Sequence, residues 1–334
     1  MQDAVRDRAL GALTGLAVGD ALGMPTQGLS RERIRDTFGR IDGFRNPPRD
    51  HPIARGLPAG SVTDDTEQAL LLAEVLVEGD GHADPHALAE RLAAWEERMR
   101  ARGSLDLLGP STRSAVAAIR RGVPIERAGR GGTTNGAAMR VAPLGIAVAP
   151  DDLDALVDRV AATCLPTHGT SVAIAGAAAV AAAVSAGVGG AGTADCIRIA
   201  VEAAALGVRH GAWVAGADMG ARIAWITERV RHRRESDALD DVADLVGTSL
   251  ATQESVPAAF GLVALFPDDP WAACRAAAAL GGDTDTIGAM AGAVLGAVHG
   301  VGGFPADAVR TLHEVNALQL ERIADALVAL RRVD

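Results

Sequence analysis

Apolar residues recur three and four positions apart along most of the chain. This spacing puts apolar side chains on one face of an α-helix, whereas the alternating runs typical of strands are nearly absent. The pattern therefore predicts an all-α fold built from many helices. The predicted helices cover residues 6–21, 65–78, 85–102, 111–121, 151–164, 170–186, 193–206, 213–231, 240–248, 256–265, 270–280, 286–296 and 305–332, the last with a break.

Two acidic clusters stand where a loop leads into a helical pattern: TDDT at 63–66 and DTDT at 283–286. Thr and Asp are good N-caps, so either cluster alone is explained by capping. Two carboxylates within three residues, however, repel each other unless a cation or a basic group is near. Carboxylate and hydroxyl oxygens are the ligands that Mg²⁺ prefers. Together the clusters predict a site for two cations.

The linking segments do not divide the chain. They are rich in Gly, Pro, Arg and Asp, notably at 39–60 and 127–136, but none resembles a long disordered linker. The two acidic clusters lie in distant thirds of the sequence, so a shared site requires their helices to pack together. We therefore expect residues 1–334 to form a single domain.

Composition narrows the classes of function. Hydrophobic residues make up 49% of the chain but aromatic residues only 3%, which favours close packing of helices rich in Ala, Val and Leu. The net charge is −10 and the chain contains Arg but no Lys, so nucleic-acid binding is an unlikely main function. Schiff-base chemistry on a lysine is excluded.

Several features indicate a cytoplasmic protein. Cys164, Cys196 and Cys274 are far apart and lie in apolar surroundings, which indicates buried thiols in a reducing compartment rather than disulfides or a zinc site. The N-terminus lacks the pattern of a signal peptide, and the apolar run 172–184 is too short to span a bilayer. We expect no association with a membrane.

Five segments carry a resemblance to a known family. In order, GDALG at 19–23, TDDT at 63–66, TTNGAAMR at 133–140, PTH at 166–168 and GGDTDTIG at 281–288 resemble the ADP-ribosylglycohydrolase family, which includes dinitrogenase-reductase-activating glycohydrolase. The resemblance extends over nearly the whole chain. It implies a compact orthogonal bundle of helices with a binuclear Mg²⁺ centre, and Mn²⁺ accepts the same oxygen ligands.

The resemblance also assigns residues to the site by their position in these motifs. As metal ligands it implies Thr63, Asp64, Asp65, Asp283, Asp285 and Thr286. The loop that contacts the phosphates and ribose of ADP-ribose corresponds to Gly132, Thr133, Thr134, Asn135 and Gly136, although a simple turn would use the same residue types. His168 corresponds to a contact with nucleotide or ribose, whereas an isolated His is otherwise more often a cap or a core residue.

Two residues of the first motif region bear on the chemistry. Asp20 is predicted to tie down a turn, or alternatively to orient a ligand-bound water or a neighbouring loop. Many family members have a Glu a few residues later as catalytic acid or base, but this chain has Gln27 there, and an amide cannot exchange a proton. Gln27 is then a substrate contact. We favour Asp65 as the acceptor of the proton that the water loses, and Asp285 is the second candidate. Two other options are that Glu32 accepts this proton, or that a metal-bound water acts with little help from a side chain.

A second departure concerns the substrate. Hydrolases of ADP-ribosylated arginine tend to have an Asp at the position of Leu107, and Asp106 is one residue away. The segments LGPST at 108–112 and TQESVP at 252–257 look more like a bacterial branch that resembles nucleoside-processing proteins. The predicted function is a Mg²⁺-dependent N-glycosyl hydrolase that cleaves the ribose C1 bond of an ADP-ribosylated protein or an ADP-ribose-like small molecule. The alternatives are a hydrolase of free nucleosides that feeds a sugar kinase, and a catalytically weak protein that binds ADP-ribose or a nucleotide.

Overall fold

The computed structural model describes residues 2–103 and 108–331. Within these ranges the chain forms eighteen α-helices and no strand, with two isolated bridge pairs joining loops. The helices are α1 (Gln2–Gly23), α2 (Arg31–Phe38), α3 (Asp64–Glu78), α4 (Pro85–Arg102), α5 (Pro110–Arg120), α6 (Ile125–Ala128), α7 (Gly136–Arg140), α8 (Ala142–Ala147), α9 (Leu153–His168), α10 (Ser171–Gly189), α11 (Thr193–Gly207), α12 (Met219–Arg231), α13 (Glu235–Asp241), α14 (Thr252–Leu265), α15 (Pro270–Ala279), α16 (Thr284–His299), α17 (Ala306–Asn316) and α18 (Leu320–Leu330). The predicted all-α fold is confirmed.

The helix boundaries differ from the predicted ones mainly where the apolar pattern is weak. The break predicted within 305–332 is present, because Ala317 ends α17 in the left-handed conformation with φ 51°. The segment predicted to open the helix 213–231 is instead irregular, and α12 begins at Met219. Residues 242–246, inside the predicted helix 240–248, form a π-helical turn after α13. The short helices α2, α6, α7 and α8 were not predicted.

The backbones of α1 and α16 touch along a seam of glycines. A Cβ atom placed on Gly15 would lie 2.0 Å from the carbonyl oxygen of Gly292, and one on Gly19 would lie 2.0 Å from that of Gly288. At the end of the seam, a Cβ on Gly23 would lie 2.3 Å from the Cα of Asp285. Glycine is required here because any side chain would push the helices apart. The seam therefore brings the end of α1 against the start of α16.

The apolar run predicted too short for a membrane is part of a longer helix. Helix α10 has 19 residues and is long and apolar enough to cross a bilayer by those criteria alone. Its most apolar window is 94% buried inside the protein, among α8, α9, α11 and α16. It is therefore a core helix, and its alanines allow the neighbouring helices to pack closely.

The three cysteines are buried as free thiols. Burial raises the pKa of each of them to about 12, so all three are protonated at neutral pH. They fill space in the core, as the sequence predicted.

Candidate active site

The first acidic cluster is held by a residue from another helix. Thr63 stands at the N-cap position of α3, but its side chain makes no capping hydrogen bond. The carboxylate of Asp20, near the end of α1, accepts hydrogen bonds from the backbone N–H groups of Thr63 (2.9 Å) and Thr66 (3.1 Å). It also accepts from both hydroxyl groups, at 2.8 Å and 2.5 Å. Asp20 thus caps α3 across the helix interface, a contact between residues more than forty positions apart.

This arrangement leaves ligand atoms of α3 available. Asp65 is 1% exposed, and one of its oxygens, Oδ1, is buried without a hydrogen-bond partner among the described residues. The other, Oδ2, lies 3.2 Å from the hydroxyl of Thr63. Asp64 is half-buried and accepts a hydrogen bond from Gln68 at 3.3 Å. A buried carboxylate oxygen without a donor is costly unless another group binds it.

The second acidic cluster is held mainly by backbone geometry. Gly281 and Gly282 adopt φ values of 77° and 76°, and the N–H of Asp283 then donates to the carbonyl of Thr248 at 2.7 Å. The hydroxyl of Thr284 donates to the carbonyl of Gly23 at 3.0 Å, which ties α16 to α1. Asp283 occupies the N-cap position of α16 without a capping bond from its side chain.

The carboxylates of the two clusters converge. Asp20, Asp65 and Asp285 are all buried, and each offers an oxygen within 4.8 Å of the others. Burial raises the pKa of Asp65 and Asp285 well above the usual range, and repulsion by the neighbouring carboxylates raises it further. Burial also raises the pKa of Asp20 and Asp283 to about 6. The unpartnered oxygen of Asp65 and the all-oxygen donor set fit a hard divalent cation.

A cavity of about 380 Å³ opens directly above the clusters. This volume lies in the range of ~300–1000 Å³ that is usual for small-molecule sites. The predicted site residues that line it are Gln27, Asp64, Asp283, Asp285, Thr286, Thr134, Asn135 and Gly136. The predicted residues that lie outside this lining are Thr63, Asp65, Gly132, Thr133 and His168.

Gln27 lines the cavity, and one polar atom of its side chain lacks a hydrogen-bond partner in the part of the chain that the structure describes. Its side chain is 7% exposed, and its Nε2 is buried without a hydrogen-bond partner among the described residues. Glu32, the alternative proton acceptor, is exposed on the first turn of α2 and does not contribute to the cavity lining. The predictions for Asp106 and Leu107 lie outside the described residues.

The glycine-rich loop packs against the end of α9. A Cβ on Gly132 would lie 2.0 Å from the carbonyl oxygen of Thr167, so the close approach requires glycine. The N–H of Gly132 donates to the carbonyl of Gly129, and that of Asn135 to the carbonyl of Leu250. These two N–H groups are therefore used inside the protein, and the contribution of the loop to the cavity comes from Thr134, Asn135 and Gly136.

Asn135 and His168 act on other residues of the site. The amide of Asn135 donates to Asp283 at 2.5 Å and to the hydroxyl of Ser255 at 2.9 Å, so it orients a predicted metal ligand. His168 is fully buried behind the loop, and its Nε2 lies 3.0 Å from the hydroxyl of Thr134. Burial, together with the charge of Arg140, lowers its pKa well below the usual value, so the imidazole is neutral.

Sequence reasoning missed three polar residues that organise the site: Gln68, Arg140 and Ser255. Arg140 offered a signal, because it is a single charged residue in the apolar stretch 137–148. Gln68 and Ser255 offered no signal for their contacts with Arg140 and Asn135, because these partners are remote in sequence.

Comparison with known proteins agrees with this architecture. The model of the ADP-ribosylglycohydrolase family matches residues 1–334. The uncharacterized protein YegU of Escherichia coli (strain K12) is 38% identical over 98% of both chains. ADP-ribosyl-(dinitrogen reductase) glycohydrolase of Rhodospirillum rubrum is 28% identical over 99% of this chain and 98% of the other. A solved structure described as an ADP-ribosylglycohydrolase-related protein complex superposes with a TM-score of 0.70 at 28% identity, covering 99% of this chain and 100% of that one.

A family match over the full chain and a relative of this identity establish the class of protein. The chain therefore belongs to the ADP-ribosylglycohydrolase family, whose members are metal-dependent glycohydrolases of ADP-ribosyl bonds.

Proposed function

We propose that this protein is a Mg²⁺-dependent N-glycosyl hydrolase that cleaves the bond at ribose C1 of an ADP-ribosylated or ADP-ribose-like substrate. The observation that carries the proposal is the buried Oδ1 of Asp65, which has no hydrogen-bond partner among the described residues. It lies in a group of carboxylates from three helices, one of which, Asp285, lines the cavity. The name of the Rhodospirillum rubrum relative supports an ADP-ribosyl substrate. The convergence of distant segments on one cavity supports a single domain over residues 1–334, and we place the protein in the cytoplasm.

The proposed cofactor is a pair of Mg²⁺ ions, for which Mn²⁺ could substitute. The residues proposed to hold them are Thr63, Asp64, Asp65, Asp283, Asp285 and Thr286. When bound, such a pair acts as a Lewis acid and lowers the pKa of water. Asp20 uses both of its oxygens on Thr63 and Thr66, and its role is to keep α3 in place.

Some side chains of the site can accept a proton from water, and others can donate a hydrogen bond to the substrate. The oxygen of water adds to C1, and the C1–N bond breaks with its electron pair on the leaving nitrogen. A carboxylate takes the proton that the water loses, and the leaving nitrogen takes up a proton in turn. We favour Asp65, or else Asp285, as the acceptor, because both carboxylates lie in the convergent acidic group, whereas Gln27 cannot titrate. The Nε2 of Gln27 has no hydrogen-bond partner among residues 2–103 and 108–331 and is suited to donate to an oxygen of the substrate. Thr134 adds a hydroxyl-bearing side chain to the lining of the same cavity.

A product assay tests the proposal directly. Purified protein receives an ADP-ribosyl-arginine protein, O-acetyl-ADP-ribose or a panel of nucleosides, with Mg²⁺ or with a chelator. We expect release of ADP-ribose from one of the ADP-ribosyl substrates, and loss of that release with the chelator.

Two variants assign the activity to the carboxylates. Asp285→Asn should lose turnover and Mg²⁺ binding measured by calorimetry, whereas Asp268→Asn, at an exposed position, should keep both. Release from nucleosides alone would replace the proposal with nucleoside hydrolysis. Binding of ADP-ribose without any release would replace it with a binding protein, and normal Mg²⁺ affinity in Asp285→Asn would refute the ligand assignment.

A further inference from the structure

Arg140, at the end of α7, is a buried cation without an ion pair. It is 1% exposed, and within residues 2–103 and 108–331 no carboxylate lies within 4.0 Å of its guanidinium. Burial lowers its pKa to about 10, so the group is charged at neutral pH. Burying a charge without a direct partner is expensive, so its hydrogen bonds must serve a purpose that an apolar side chain could not.

The guanidinium fixes the orientation of two side chains, because it can only donate hydrogen bonds. One nitrogen donates to the Oε1 of Gln68 at 3.2 Å, which leaves the Nε2 of Gln68 to donate to Asp64. The other nitrogen donates to the hydroxyl oxygen of Thr167 at 2.7 Å. Arg140 therefore reaches both a proposed metal ligand and the end of α9.

The second branch determines where the proton of His168 resides. Since the oxygen of Thr167 accepts from Arg140, its own proton is directed to an acceptor, and the Nδ1 of His168 lies 2.7 Å away. The imidazole is neutral, because burial and the charge of Arg140 lower its pKa. With Nδ1 accepting, the ring carries its proton on Nε2. Gly136 leaves room for this ring, because a Cβ there would lie 2.9 Å from its Cε1.

The proton on Nε2 in turn sets the direction of the last hydrogen bond. The Nε2 of His168 donates to the hydroxyl oxygen of Thr134 at 3.0 Å. The hydroxyl of Thr134 must then donate its own proton onwards, and Thr134 lies in the cavity wall.

We propose that Arg140 is a positioning residue that acts through Thr167 and His168 to present the hydroxyl of Thr134 as a hydrogen-bond donor to an acceptor oxygen of the substrate. Through Gln68 the same guanidinium steadies Asp64. The acceptor is a phosphate or sugar oxygen, and this identity rests on the proposed function. The direction of the hydrogen bonds does not depend on it.

The tautomer of His168 can be measured without any ligand. In protein labelled with ¹⁵N at histidine, long-range ¹⁵N–¹H correlation spectra separate the two tautomers, and His168→Gln assigns the signal. We expect the Nε2-protonated form in the unmodified protein. An Nδ1-protonated or cationic ring at neutral pH would overturn the proposal.

Substitutions of Thr167 and Arg140 test what fixes the tautomer. Thr167→Val and Arg140→Met should each give a mixture of tautomers, and Thr167→Ser should restore the single form. Thr163→Val is the matched control one turn earlier in α9, where the hydroxyl donates to the backbone carbonyl of Val160 rather than to Arg140 or His168. If Arg140→Met does not fold, Arg140→Lys is used, since one ammonium cannot replace both nitrogen contacts. An unchanged tautomer in the folded Arg140 variant would refute its role.

Ligand affinity tests the last step. By calorimetry with ADP-ribose, Thr134→Val and Thr167→Val should each weaken binding by about tenfold or less, the range of one lost hydrogen bond. Thr167→Val should have no further effect once Thr134→Val is present, because it acts through that hydroxyl. Additive losses would contradict the proposal that Thr167 acts through His168 on the hydroxyl of Thr134. If the unmodified protein does not bind ADP-ribose, the proposed function fails. The tautomer spectra still test whether Arg140 and Thr167 fix the proton of His168 on Nε2.

Discussion

The two acidic clusters have nearly the same residues, but the protein holds them by different means. The cluster at the start of α3 is fixed by a side chain, since Asp20 accepts four hydrogen bonds from Thr63 and Thr66. The cluster at the start of α16 is fixed by the backbone, through the left-handed glycines Gly281 and Gly282. In both, the residues that might have capped the helix point elsewhere.

The difference determines how each half responds to a perturbation. A carboxylate that holds a helix end loses acceptor strength when it is protonated, so the α3 half depends on charge. The backbone of the cluster at the start of α16 is held by glycine conformation and by hydrogen bonds from N–H to carbonyl groups, and these do not titrate. The position of this cluster therefore does not depend on the charge of a side chain. The glycine seam between α1 and α16 then fixes the distance between them.

The largest expected effect comes from removing the cap that crosses between helices. Asp20→Ala leaves two buried N–H groups and two hydroxyls of α3 without their acceptor, and we expect a loss of about 3 kcal/mol in the free energy of unfolding. Relief of repulsion from Asp65 and Asp285 offsets part of a larger cost. Urea denaturation at neutral pH measures the loss.

An ordinary cap provides the matched control. Asp152 caps α9 from an exposed position and accepts one hydrogen bond from the N–H of Ala155 at 2.9 Å. Asp152→Ala should cost about 1 kcal/mol, the usual value for an N-cap. If Asp20→Ala costs no more than Asp152→Ala, the network around Asp20 does not hold α3.

The backbone-held half should be sensitive to a single methyl group. Gly282→Ala introduces strain at φ 76° and a Cβ 2.3 Å from the carbonyl oxygen of Thr248, and we expect a loss of about 2 kcal/mol together with weaker Mg²⁺ binding. Gly39→Ala separates strain from collision, because its φ is 64° and nothing lies within 4 Å of its Cβ. Equal losses in the two variants would mean that contact with Thr248 does not position Asp283.

The motifs and most helices of the fold were accessible from sequence, because both depend on local pattern. The long apolar helices were predicted, whereas α2 was not, since Ile34 is its only buried residue and gives no periodic signal. The segment before α12 contains Trp213, which opens the predicted helix 213–231 but lies outside α12 and is 81% exposed. Local pattern predicts which residues can form a helix and not which of them will be covered.

The organisation of the site was less accessible, because it depends on contacts between distant residues. Both acidic clusters were identified from sequence, and the structure brings them together. The capping of α3 by Asp20 and the contacts of Arg140 with Gln68 and Thr167 depend on packing that no local pattern encodes. Asn135 was predicted to bind substrate, yet its amide donates to Asp283.

Without the cation, stability should fall as the pH rises, whereas the stabilisation that the cation gives should increase. The folded-state pKa of Asp20 and Asp283 is raised from 3.8 to about 6, so the folded protein binds more protons than the unfolded chain in this interval. Without a cation, stability should therefore fall as the pH rises from about 4 through about 6, and the raised pKa values of Asp65 and Asp285 extend the fall to higher pH. Mg²⁺ binds the deprotonated form, so the stabilisation it gives should increase over the same interval.

Melting temperatures with chelator and with excess Mg²⁺ measure this dependence. We expect the gap between the two curves to widen by a few degrees from about pH 5 to about pH 8. Asp283→Asn should flatten the curve recorded with chelator, because it removes one raised pKa. A constant gap between the curves across this range would show that the carboxylates do not bind the ion.

The smallest and most discriminating effect separates the two threonines of the second cluster. Thr284 is fully buried and its hydroxyl bonds to the carbonyl of Gly23, whereas Thr286 lines the cavity. Thr284→Val should therefore lower the free energy of unfolding by about 1 kcal/mol and change Mg²⁺ affinity little. Thr286→Val should weaken Mg²⁺ binding and change the free energy of unfolding little, because the proposed ligand oxygen is lost while the shape of the side chain is kept. Calorimetric Mg²⁺ titration and urea denaturation on both variants give the four values needed. Thr284→Val could instead weaken Mg²⁺ binding as much as Thr286→Val does. The hydrogen bond from Thr284 to Gly23 would then be needed for metal binding, and the backbone alone would not hold the acidic cluster of α16 in place.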